Sequence, residues 1–137
     1  MKNAFTLVAL LCLTLAGCRK AVTELQTKTL MEIITSGQWF IDQFTEGTTT
    51  YTQDYRGYDF KFNDNGTVNA YLASAVTVGT FSVDALNKRI SSRFPAGSAP
   101  LLMRLNETWT VTNASLSLVE AKPSDPARTS FLRIRAR

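Results

Sequence analysis

Two cysteines, no histidine and eleven acidic residues bound the chemistry open to this 137-residue chain. Without histidine there is no Ser-His-Asp or Cys-His nucleophile and no imidazole ligand for zinc. The carboxylates Asp54, Asp59, Asp64, Asp84, Glu107, Glu120 and Asp125 are scattered among turn-rich stretches and strand ends. A glycosidase-type pair would need two of them brought together across the fold. Asp64-Asn65-Gly66 lacks the spaced acidic ligands and final glutamate of a calcium loop, and reads as a turn. We therefore expect no catalytic residues, no metal site and no cofactor: the chain is not an enzyme. One residue does stand where chemistry is expected. Cys18 closes M-K-N-A-F-T-L-V-A-L-L-C-L-T-L-A-G-C, in which Lys2 supplies a positive start and Phe5 to Leu15 an apolar run. Leu15-Ala16-Gly17 completes the small-residue cleavage plan of a secretory signal.

The Leu15-Ala16-Gly17-Cys18 ending resembles the lipobox of bacterial lipoproteins. The resemblance implies diacylglycerol on the Cys18 sulfur, cleavage before Cys18 and acylation of the new amino group. The alternative, a transmembrane segment, needs about 20 apolar residues, and this run stops at Arg19-Lys20. More than one acyl chain is required for stable anchoring, which a triacylated cysteine supplies. The expected organisation is a cleaved signal at 1–17, a lipidated N-terminus and helix at 18–36, and one folded domain at 37–137. Cys12 leaves with the signal, so no disulfide is available and the core alone must hold the fold. The +4 formal charge is too mild to imply nucleic acid. Arg128, Arg133, Arg135 and Arg137 make the C-terminal stretch the most basic part, read as solvated charge on a last strand.

Residues 21–35 place Val22, Leu25, Thr29 and Ile33 near one helical face, and Ser36-Gly37 ends that helix. Period two governs the rest of the chain: 38–45, 58–62, 68–72, 77–83, 88–94, 107–112, 115–120 and 129–135 read as strands. Asn65-Gly66 marks a hairpin. Residues 46–56 form a loop or loose strand pair, 101–106 a helical turn or short strand, and Asn113-Ala114 a further hairpin. Short strands at even spacing give an all-β fold, roughly an eight-stranded antiparallel up-and-down barrel preceded by a short N-terminal helix. A β-sandwich is the alternative.

Gly37-Gln38-Trp39 opens the first strand directly after a helix and resembles the G-x-W motif of lipocalins. That family implies that Trp39 closes the narrow barrel end, with a late basic residue, Arg133 or Arg135, packed over its ring. The wider run of S-G-Q-W, G-Y-D-F-K-F-N-D-N-G-T-V-N-A, V-G-T-F-S-V, L-N-E-T-W-T-V and S-L-S-L looks like small lipocalin-like lipoproteins of Bacteroidetes. This resemblance implies a fold and a cell-envelope address, and Arg19-Lys20 in place of an acidic run points to a periplasm-facing outer-membrane anchor. It names no ligand. Inward positions that would line a cavity are Tyr58, Phe60, Phe62, Val68, Ala70, Leu72, Phe81, Trp109 and Val111, with Tyr51, Tyr55 and Tyr71 at the rim; the same aromatics could instead fill the core. Two functions stay open. One is a carrier of a small apolar or amphiphilic ligand, which needs a cavity of a few hundred cubic ångströms. The other is an interaction module docking onto an envelope protein through loops 46–56, 95–105 and 121–128, which needs a packed barrel.

Overall fold

Trp39, Ile41 and Phe44 are buried within a strand whose other residues are not, and that alternation decides the architecture. The computed structural model describes residues 29–137. Cys18, the signal segment and the first part of the expected helix lie outside the described residues. Helix α1 covers residues 29–35. After it come β1 (Gln38–Glu46), β2 (Thr49–Thr50), a 3-10 turn (Thr52–Tyr55), β3 (Tyr58–Phe62), β4 (Thr67–Leu72), β5 (Ala75–Asp84) and β6 (Arg89–Arg93). A single-turn helix, α2 (Pro100–Met103), precedes β7 (Glu107–Ala114), β8 (Leu118–Pro123) and β9 (Ser130–Ala136).

Neighbouring strands pair in chain order, and β1 also pairs with β9, so the sheet closes on itself. The result is the expected antiparallel eight-stranded barrel, with β2 as one extra strand beside the end of β1. Closure leaves no long free edge to invite aggregation. Antiparallel pairing collects alternate connections at opposite ends. One end carries α1 and the turns at 63–66, 85–88 and 115–117. The other carries the three long connections at 47–57, 94–106 and 124–129.

Local departures from strict alternation have identifiable causes. A bulge between Ile41 and Gln43 inserts one residue against β9, which keeps both Ile41 and Phe44 facing inward despite their odd spacing. A second bulge between Val111 and Asn113 carries β7 on to Ala114. The turn therefore falls at Ser115–Ser117 rather than at Asn113-Ala114. There Ser115 Oγ accepts the amides of Ser117 and Leu118 at 3.3 and 3.2 Å. The Asn-Gly hairpin turns through residues 63–66: Asn63 N–H donates to Thr67 O at 2.9 Å, Gly66 N–H to Asn63 O at 3.0 Å, and of these four only Gly66 has positive φ. At Gly79 a Cβ would lie 2.6 Å from Arg93 O and 2.9 Å from the Phe94 ring, so β6 can close over β5 only because that residue is bare.

The core is one cluster running from α1 (Leu30, Ile34) through Trp39, Phe44, Phe60 and Trp109 to Leu102 and Leu105. Trp39 is fully buried, and its Nε1 donates to Ile34 O at 2.8 Å. Lys61 Nζ donates to Thr35 O at 3.0 Å, so two side chains satisfy carbonyls that the end of α1 leaves open.

Candidate functional site

The three long connections meet over one barrel mouth. Gly47, at φ +58°, turns the chain into β2. Tyr51 N–H then donates to Phe44 O at 2.9 Å, and Thr52 Oγ1 accepts Phe44 N–H at 3.0 Å. These bonds fold the chain back across the opening, and the 3-10 turn drops Tyr55 into it. Tyr55 packs edge-on against Phe44, ring centroids 5.3 Å apart, and its hydroxyl donates to Leu101 O at 2.7 Å. Burial pushes the Tyr55 hydroxyl far above the ordinary tyrosine value, outweighing the opposing charge of Arg104. From the second connection, Pro100 starts α2, whose missing N–H costs nothing at that position. Leu102 and Leu105 enter the mouth beside Tyr55, and Trp109 Nε1 donates to Leu105 O at 3.3 Å. Arg104 ties the first two connections together, 2.6 Å from Glu46 Oε2 and 4.1 Å above the Tyr51 ring. Arg128 of the third connection reaches Glu107 at 3.4 Å.

Below this plug the barrel is nearly full. The remaining internal cavity is about 60 Å³, and among the described residues Ser92 is the one polar residue on its wall. Pockets that enclose small molecules run to roughly 300–1,000 Å³. Phe60, Phe62, Trp109 and Val111 line the cavity, whereas Tyr58, Val68, Ala70 and Phe81 are buried without lining it. Leu72 is 40% exposed at the mouth end of β4. Also on the wall are Ile41, Ile90, Val119, Ala121 and Ile134, which the period-two pattern of their strands could have indicated. Ile34, Phe94 and Leu105 come from a helix end and a connection, where no periodicity points inward.

Of the rim tyrosines, Tyr51 is half-buried beneath Arg104 and Tyr55 is the plug. Tyr71 lies on the outer wall of β4, its hydroxyl accepting from Asn69 Nδ2 at 3.1 Å. Arg133 and Arg135 also point outward. Arg133 pairs with Glu120 at 2.8 Å and Asp42 at 3.6 Å, Arg135 with Asp42 at 2.9 Å, and the Arg133 guanidinium lies 5.6 Å from the Phe131 ring. Neither packs over Trp39, which is fully buried in the core. Asp59 on the outside of β3 takes Arg137 at 2.6 Å. Asp84 is held below the ordinary carboxylate range by hydrogen bonds from the Asn87 side chain and amide. Among the described residues no group of three or more acidic or sulfur ligands could hold a metal ion.

Two larger hollows lie outside the barrel. One of about 290 Å³ opens where β1 and β3 part, since these strands pair only at Gln38–Lys61 and Trp39–Phe60. The other, about 380 Å³, runs between α1 (Leu30, Ile33) and the barrel end beside it (Ala85, Lys88, Val111, Ala114), away from the mouth.

No protein-family model and no curated protein matches the chain. Among solved structures, a DUF4847 family protein from Bacteroides vulgatus is similar over 79% of this chain and 97% of its own, with TM-score 0.59 and 14% identity. At that identity the likeness shows the fold alone: this chain has the barrel fold found in a Bacteroides protein.

Proposed function

We propose that this chain is a lipid-anchored protein of the bacterial cell envelope, tethered through Cys18 to the periplasmic side of the outer membrane, and that its barrel is a rigid, non-enzymatic recognition module. The filled interior carries this reading. A barrel with about 60 Å³ of free space serves as a scaffold, and loops held by a rigid scaffold are where recognition is usually placed. The connections at 47–57, 94–106 and 124–129 share one end, and an envelope protein would dock there.

A second reading has its own support. Apart from Ser92 the described residues of the cavity wall are apolar, which suits a small apolar or amphiphilic guest once Tyr55 and Leu102 withdraw. The native mass of the protein purified from its own envelope separates the two. The module reading expects the mass of the lipidated chain alone, together with a reproducible crosslinked envelope partner. An extra mass released on denaturation, with no crosslinked partner, would replace it with the carrier. The anchor is tested by labelled fatty acid: incorporation should be lost in Cys18→Ser, and label retained on that variant would sink the anchor.

A further inference from the structure

Among the described residues, the two most exposed large apolar side chains are Leu86 and Leu116, at 71% and 67%. Both occupy turn tips, Leu86 between β5 and β6 and Leu116 between β7 and β8, and both turns lie at the α1 end. The other exposed apolar residues do not share that place: Val76 and Val78 are on the wall of β5, while Leu72 and Met103 are at the plugged mouth. Between α1 and these turns runs the 380 Å³ hollow, with Leu30, Ile33, Ala85, Val111 and Ala114 on its sides. The chain leading from Cys18 enters the domain at this same end. Residues 18–28 can span at most roughly 40 Å, so a lipid on Cys18 holds this end of the barrel within that distance of the bilayer.

We propose that the α1 end is the membrane-facing surface of the protein, with Leu86 and Leu116 dipping into the lipid interface. This rests on the Cys18 anchor proposed above. Contact is apolar rather than electrostatic, because charges of both signs share this end: Lys61, Lys88 and Arg89 with Glu32, Asp64 and Asp84. Leucines that reach the boundary between headgroups and acyl chains gain by leaving water, and two points of contact beside the tether would hold the barrel axis upright. The plugged mouth then faces away from the membrane, where a protein partner can reach it.

The test uses lipidated protein in phosphatidylethanolamine–phosphatidylglycerol vesicles, with an environment-sensitive fluorophore on Leu86→Cys, Leu116→Cys or, at the opposite end, Ser74→Cys. All three sites are exposed turn positions, so folding should be unaffected, and unchanged thermal melting checks this. Spin-labelled lipid is expected to quench the fluorophore at 86 and 116 several-fold more than at 74, with little change when salt is raised. Equal quenching at the three sites overturns the orientation while leaving the anchor intact. A second fluorophore per molecule would show that Cys18 carries a free thiol. The anchor would then fail, and the orientation with it.

Discussion

Tyr55 concentrates the properties of the mouth in one side chain. Its hydroxyl is buried and neutral, and its bond to Leu101 O joins two connections 46 positions apart. Because folding raises its pKa, the stabilisation tied to the protonated hydroxyl is complete below the unfolded tyrosine value of about 10 and declines as pH rises past it, where the unfolded chain sheds the proton first. Tyr55→Phe should therefore cost about 1 kcal/mol at pH 8, from the unpaired Leu101 carbonyl, and lose less stability than the parent between pH 9 and 11. Denaturant midpoints across that range check this, and parallel slopes for the two proteins would mean that Tyr55 is not the titrating group. Trp39 works at the other end, filling space under α1 and holding Ile34 O. Trp39→Ala should destabilise by about 3–5 kcal/mol, as large aromatic truncations in a core do. A melting temperature that hardly moves would show that α1 is not docked through this ring.

At the scale of elements, the tightest constraint is the crossing of β5 and β6 at Gly79. Adding one methyl group there must push back Arg93 O or the Phe94 ring, and overpacking of this kind costs about 1–3 kcal/mol. Gly79→Ala should thus lower the denaturant midpoint without changing its slope. A neutral result would mean that the end of β6 can slide. Nothing in V-G-T-F-S-V announces this contact, because it depends on which strand comes to lie alongside. Alternation alone located β1, β3, β4 and β9 to within a residue or two, and turn chemistry located the Gly66 hairpin. The bulges at Ile41–Gln43 and Val111–Asn113 were not legible, since an inserted residue looks like ordinary sequence until a partner strand fixes the register. The mouth was half legible. Tyr55 was expected at the rim and is the plug, because its depth depends on Thr52 and Tyr51 tying back to Phe44, and those contacts carry no periodic signal. Arg133 and Arg135 are on the strand expected for a residue covering Trp39 but on its outer face, where Asp42 and Glu120 neutralise them.

For the molecule as a whole, closure is uneven, and that sets where the barrel should open first. β1 meets β9 along seven residue pairs but β3 along only two, so the β1–β3 seam has the fewest paired residues of any wall in the barrel. Outside that seam, Arg137 on Asp59 and over the Phe40 ring, with centroid distance 4.5 Å, ties the end of β9 across β1 to β3. Half-exposed ion pairs of this kind contribute at most about 1 kcal/mol each and weaken with salt, so they are poor substitutes for a ladder. Proteins open locally where backbone bonds are few and solvated. Hydrogen exchange should therefore find the seam-side amides of residues 40–42 and 58–59 opening at a free energy well below that of global unfolding. Amides in the middle of β4, β5 and β8 should exchange only when the whole barrel unfolds. Arg137→Gln should speed exchange at the seam and leave those central strands unchanged. If every strand exchanges at one common free energy, the barrel wall opens only as a unit, and a guest could reach the interior only past the Tyr55 plug.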